Sequence, residues 1–292
     1  MKIDRMELAD IGNAVELAKA IVKQLPDLVI PVPIKEIAHA VGIIDIQPIT
    51  TAGFEGGLIA KDDKSSGSIL FNQSSTPQRQ KFTIGHELGH FLNSWHRPDE
   101  HGQIMCTAAN MIMANFAKDN KRQKMEVEAN QFSAELLMPS TLLRADIRRL
   151  KAPEIDHIVT LAKKYDVSKE AMARRYIEFH DESCAVVFSK NGKILYVHKQ
   201  QYFPGLSVWN GDVIPQGSLT ASFQGAEGRS SEWKEHSGEI WLSNDRGKKI
   251  YEQVLMQQNG HRITLLTRDE EAEEDSEEED DLKEKWTPRY RR

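Results

Sequence analysis

With 292 residues, the chain can form one generous domain or two smaller ones, each long enough to bury its own core. Its two cysteines, Cys106 and Cys184, lie far apart without CxxC or Cys/His finger spacing, which excludes a disulfide framework or zinc knuckle and points to a reducing compartment. Charges run through the apolar residues of the N-terminal MKIDRMELADIGNAVELAKAIVKQL and no apolar run is long enough for a bilayer, so the expectation is a cytoplasmic protein with no membrane partner.

Residues 6–25 read as an amphipathic helix. After the Pro-rich stretch 25–33 a second helix, 34–42, ends at Gly42. Short strands are expected at 43–49, 56–60 and 66–72, leading directly into a helix over 83–95. A polar insert with His and Met residues then spans 97–124, and it could serve as a lid or recognition loop. A helix over 123–137 follows and is stopped by Met138-Pro139. More helices run to Phe179, after which the pattern changes to strands at 184–189, 193–198, 239–243 and 263–267. Trp209, Trp233 and Trp241 belong to this last region and are expected in its core.

The run 269–281 contributes eleven acids and no base to a net charge of −6, which leaves the rest of the chain at +5. Such a run cannot bury enough apolar surface to fold by itself. These boundaries give an N-terminal helix (1–25), a mixed strand-and-helix domain (26–180), a small β-rich domain (183–268) and a charged tail (269–292) with a basic-aromatic end. The fold class is α+β.

The chemistry concentrates in His86-Glu87-Leu88-Gly89-His90. Two imidazoles one helical turn apart can bind one zinc ion, and the glutamate between them can serve as general base. At about 100° per residue, Ile84, Leu88, Phe91 and Trp95 form one apolar stripe. His86 and His90 lie opposite, with Gly85 and Gly89 beside them. Glycine inside a helix costs stability, so these two imply that another backbone or a substrate approaches closely.

A catalytic zinc needs a third protein ligand. His96 has the His-to-His spacing of the metzincin pattern, with Asn93 where that pattern carries glycine. Glu126 is preferred. On its helix it shares a face with Ala129, Asn130, Ser133 and Leu137, whereas Glu128, Gln131 and Glu135 share the opposite, water-like face. Small Ala129 and Ser133 would let this helix cross close to Gly85 and Gly89.

Two stretches resemble the ImmA/IrrE family of metallopeptidases: RQKFTIGHELGHF at 79–91 and EVEANQFSAELLMP at 126–139. With PIKEIA at 33–38 and the strands that follow, the resemblance covers residues 26 to 180. It implies a zincin-like endopeptidase core in which His86, His90 and Glu126 hold zinc and Glu87 is the catalytic base. It also implies a protein substrate, often a helix-turn-helix transcriptional repressor, in a stress or mobile-element switch. Ser133, where alanine is common, and the long insert depart from the pattern.

The mechanism would use a metal-activated water, with Glu87 taking its proton and passing it to the leaving amine. Tyr165, Tyr176 and His157 are candidate oxyanion donors, and Asn130 could orient a ligand or simply join two helices. A His2Glu site also accepts Mn2+ or Fe2+.

Other readings compete. Residues 161–176 have a helix-turn-helix pattern with Lys169, Arg174 and Arg175 available to DNA, although such pairs often only pack beside a core. A regulatory module could also keep the fold and act by docking a partner. His101, Met105, Cys106, Met111 and Met113 match no ligand template, and both cysteines read as plain thiols.

Overall fold

The computed structural model describes residues 1–97, 103–107, 121–244 and 247–268. The acidic tail and its basic-aromatic end, together with His101, Met111 and Met113, lie outside the described residues. The architecture is α+β, with helices and two separate sheets. The chain divides into two compact units, one comprising 1–145 and 160–171 and the other 146–159 and 172–292.

In the first unit the helix expected over 6–25 is broken in two. Met6–Leu8 forms a 3-10 turn, and α1 spans Ala14–Lys23 behind Asn13, whose Oδ1 accepts from the backbone N–H groups of Val15 and Glu16. Asp10, Gly12 and Asn13 favour turn and cap geometry over helix interior, which is why the apolar period does not carry through. Helix α2 (Ile34–Ala40) ends ahead of Gly42, whose φ of +109° suits glycine alone.

Strands β1 (Ile43–Ile49), β2 (Phe54–Ala60), β3 (Gly67–Asn72) and, later in the chain, β4 (Gln103–Thr107) form a mixed sheet in the order β1-β3-β2-β4. β1 runs parallel to β3, with Ile46 opposite Ile69, and β2 runs antiparallel to it, with Leu58 opposite Ile69. Strand β4 (Gln103–Thr107) falls inside the expected insert and pairs antiparallel with β2, Ile104 opposite Leu58. Part of that insert, including Met105 and Cys106, is therefore sheet.

Helix α3 (Pro77–Leu92) begins six residues before the expected start. Thr76 caps it by accepting from the Arg79 N–H, and Pro77 occupies the first turn, where its missing donor costs nothing. It ends at Leu92, so Trp95 falls beyond it and stands 71% exposed instead of completing the apolar stripe. Helix α4 (Lys121–Leu137) crosses α3, and α1 packs against α4. The core between these helices and the sheet holds Leu17, Ile37, Leu58, Ile69, Leu88 and Phe132, each fully buried. At about 1.5–3 kcal/mol per side chain of this size, burial dominates the stabilisation of the crossing.

Glu135 corrects the helical wheel of α4: it is 2% exposed, and its Oε1 accepts the N–H of Ser140, the first residue of α5 (Ser140–Arg148). A carboxylate at the start of the next helix is stabilised there by unsatisfied N–H groups, so it is drawn inward. Helices α6 (Ile155–Tyr165) and α7 (Lys169–Phe179) follow, joined by the short connection 166–168. Their turn is pinned to α3 by Gln78, which donates to Asp166 Oδ1 at 2.8 Å, and by a Lys81–Asp166 ion pair.

The second unit is built on a five-stranded antiparallel sheet in the order β6-β5-β9-β8-β7. Its strands are β5 (Cys184–Lys190), β6 (Lys193–Lys199), β7 (Lys234–Ser237), β8 (Lys249–Met256) and β9 (His261–Thr267). Val187, Phe203, Trp241, Ile250 and Leu266 share its core.

Two expectations fail here. Residues 239–243 are not a strand: Gly238–Ile240 is a 3-10 turn that drops Trp241 and Leu242 into the core. Among the three tryptophans only Trp241 is a core residue; Trp209 is 72% exposed, and Trp233 is half-buried with its indole N–H on Glu154 Oε1.

Strand β8 carries the buried polar pair Glu252 and Gln253. Glu252 accepts from the N–H groups of Leu219 and Thr220, from the Thr220 hydroxyl and from Trp241 Nε1, thereby capping α8 (Leu219–Ser222). Gln253 accepts from the Ile155 N–H and donates to Glu154 and to the Ser231 carbonyl. Every polar group so buried needs such partners.

Candidate metal centre

Helix α3 is buried over its whole circumference from Thr83 to Phe91, because the sheet covers one side and α4 the other. His86, Glu87 and His90 are each 0% exposed, so the two histidines do not belong to a solvent-facing side of the helix.

The crossing is close because the glycines and the small residues meet. A Cβ built on Gly85 would fall 2.5 Å from Ser133 Oγ, and one on Gly89 would fall 3.0 Å from the Phe132 ring. The Ser133 hydroxyl donates to the Phe82 carbonyl at 2.8 Å, so this departure from alanine adds a bond between the two helices.

The crossing delivers Glu126 to the two histidines. His86 Nε2 and His90 Nε2 are 3.1 Å apart, His86 Nε2 is 3.2 Å from Glu126 Oε2, and His90 Nε2 is 3.7 Å from Glu126 Oε1. The outer ring nitrogens have partners of their own. His86 Nδ1 donates to Asn130 Oδ1 at 3.0 Å, and His90 Nδ1 lies 3.0 Å from His96 Nδ1. Asn130 thus joins the two helices through a bond to one of the histidines, the second of the two alternatives expected for it.

His96 is buried, but it reaches the far side of His90 and not the convergence point, and its Nε2 bonds Glu128 Oε2 at 2.8 Å. Glu128 is therefore tied to the site from behind instead of standing on a water-like face. Sequence reasoning missed this pair, because spacing alone cannot say which nitrogen a third histidine meets.

The donor set fits a cation. Two imidazole nitrogens and a carboxylate oxygen gather within 4.8 Å of one another, all from buried residues. Ligands about 2.0–2.1 Å from a tetrahedral zinc ion would lie about 3.3 Å apart, close to the separations here. Three lone-pair atoms brought face to face is an arrangement that a shared cation satisfies. Burial holds His90 well below the ordinary imidazole pKa, with His86 and His96 adding to the effect, and neutral imidazole is the ligating form.

Glu87 projects toward β2. A Cβ on Gly56 would lie 2.6 Å from Glu87 Oε1, so the strand makes room for this carboxylate by carrying glycine. The pair Gly56-Gly57 inside a strand was the available signal for this approach.

Lys64 was not foreseen either. Its Nζ donates to the carbonyls of His90 and Asn93, both at 2.7 Å, closing the C-terminal end of α3. Burial, with Arg97 and Arg5 nearby, lowers its pKa to about 8.

Tyr176, in the second unit, takes the Glu154 N–H and lies 3.2 Å from His157 Nδ1, while Tyr165 is buried in the first. Arg174 lies over the Tyr196 ring at 4.8 Å, and Arg175 lies over Phe179 and pairs with Glu178. Cys184 is buried and its thiol is pushed up to about 12. Among the described residues, no helix is long and apolar enough to cross a membrane.

No curated protein matches the sequence. The chain is similar in fold to a Mycobacterium tuberculosis transcriptional regulator, with 11% identity, 90% of this chain and 80% of that one covered, and a TM-score of 0.52. Residues 44–176, which include every member of the His86, His90 and Glu126 cluster, match the IrrE N-terminal-like domain, and this part of the chain belongs to that family, Peptidase M78.

Proposed function

We propose that the protein is a zinc-dependent endopeptidase that cleaves a specific intracellular protein, a helix-turn-helix transcriptional repressor, as part of a stress or mobile-element switch. The observation that carries the reading is the convergence of His86, His90 and Glu126 inside a peptidase-family domain, with Glu87 on the same turn of helix. His86 and His90 would hold the ion through Nε2, and Glu126 would hold it through its carboxylate. The chemistry a bound zinc supplies is a water acidified toward neutrality and a polarised carbonyl; Mn2+ or Fe2+ could supply the same. Glu87 accepts a proton from the attacking water at its carboxylate and delivers it to the leaving amine nitrogen. Gly56 leaves the space in which that carboxylate sits.

A second reading, a regulator that keeps the metal centre and works by docking a partner, is favoured by the fold shared with a transcriptional regulator. Direct DNA binding through α6 and α7 has less support, because Arg174 and Arg175 are engaged with Tyr196, Phe179 and Glu178. The deciding experiment expresses the wild type and Glu87→Gln in matched cells and maps newly formed protein N-termini. A small set of new N-termini in one repressor, present only with the wild type, is expected. Regulatory activity that survives Glu87→Gln with no new N-terminus would favour the docking reading.

A further inference from the structure

We infer that His96 and Glu128 are a positioning pair that fixes the proton of His90 on Nδ1 and so holds the Nε2 lone pair toward His86 and Glu126. This rests on the metal centre proposed above and adds to it the residues that make His90 a ligand. The proton positions follow from the outside inward. Glu128 Oε2 is 2.8 Å from His96 Nε2, and a carboxylate accepts, so His96 carries its proton on Nε2. A neutral imidazole has one donor and one acceptor, which leaves His96 Nδ1 as the acceptor. The 3.0 Å contact between His96 Nδ1 and His90 Nδ1 then requires the hydrogen to be on His90.

Burial keeps the pair from exchanging these roles with water, since His96 is 1% and His90 0% exposed. His86 is held differently. Its Nδ1 meets the neutral amide of Asn130, whereas the His90 chain ends on a carboxylate. A carboxylate behind an imidazole raises the basicity of the ligating nitrogen, so His90 is the stronger donor of the two. The outer end of the chain opens on a cavity of about 360 Å3 lined by Trp95, Lys121, Lys124 and Met125 together with His96 and Glu128. Lys124 Nζ stands 3.8 Å from Glu128 Oε1 there.

The test uses the full-length protein and two readouts. Nitrogen-15 spectra of the histidine side chains report the tautomer of His90 without metal, and zinc titrated against a competing chelator reports affinity and stoichiometry. His96→Leu removes the acceptor, His96→Asn returns an oxygen where Nδ1 was, and Glu128→Gln weakens the outer bond while keeping its shape. The expected result is a Nδ1–H tautomer of His90 in the wild type that is lost in His96→Leu and kept in His96→Asn. Zinc affinity should fall about 10–100-fold in His96→Leu, less in Glu128→Gln, and return in His96→Asn, with one ion per chain throughout.

Unchanged tautomer and affinity in His96→Leu would overturn the inference. Complete loss of zinc from a folded His96→Leu, unrestored by His96→Asn, would also overturn it by making His96 a ligand. If the wild type takes up no zinc, the metal-centre reading fails. The tautomer spectra then decide this inference by themselves: a Nδ1–H His90 that depends on His96 supports it, and any other tautomer overturns it.

Discussion

Glu126 and Glu252 are both buried carboxylates, one in each unit, and the sets of groups that face them differ. Glu252 receives two backbone N–H groups, a hydroxyl and an indole N–H, all of which hold α8 and Trp241 to the sheet, and a single imidazole, His236, stands beside them with Nε2 at 3.2 Å. Glu126 is faced by two imidazole nitrogens whose rings already bond outward through Nδ1. A carboxylate whose oxygens are filled by backbone, hydroxyl and indole donors is an architectural joint; one on which two ring nitrogens from a single helix converge could hold a cation. Burial of an acid does not distinguish these roles, and the groups it faces do.

The comparison breaks most sharply at Glu87. Glu87→Gln should lower cleavage about 100- to 10,000-fold while leaving the metal content unchanged, measured as substrate turnover beside elemental analysis. Glu252→Ala should do the converse: it strands several buried donors and should cost about 3–5 kcal/mol, read from the denaturation midpoint. Metal affinity measured on the fraction that remains folded should not change. If Glu252→Ala removed the metal directly, the division into joint and centre would fall.

A smaller effect sharpens the geometry of the helix crossing. Gly85→Ala places a methyl against Ser133 and should destabilise by about 1–3 kcal/mol while weakening metal binding, because it moves Glu126 away from the histidines. Adding Ser133→Gly should recover most of the metal affinity; additive losses would show that the glycine is not there to admit α4. The smallest effect belongs to Cys184. Its thiol, pushed up to about 12 by burial, should stay unreactive. In a Cys106→Ser background, folded protein at pH 8 should take up no iodoacetamide, and unfolded protein should label at Cys184.

Much of the centre was legible in the sequence because helical period places side chains by simple angle. His86 and His90 share a face, and Glu126 falls on the small-residue side of its helix, where Ser133 meets Gly85. What stayed hidden depended on partners distant in sequence. Lys64 closes α3 from a loop between two strands, and Glu135 turns inward for an N–H five residues ahead. Strand β8 was missed because Glu252 and Gln253 interrupt its apolar pattern, and only their hydrogen-bond partners explain why they are buried. Residues 239–243 looked like a strand by composition, but the chain needed a tight turn there to bury Trp241.

The central claim is that the centre consists of His86, His90 and Glu126, with His96 behind it. The most direct test is the metal content of the purified wild type, His90→Ala, Glu126→Ala and His96→Ala after a limited chelator wash. The account predicts about one zinc ion per chain in the wild type, none in His90→Ala or Glu126→Ala, and one more easily stripped ion in His96→Ala. Full retention of metal by Glu126→Ala, with loss from His96→Ala, would contradict it and make His96 the third ligand.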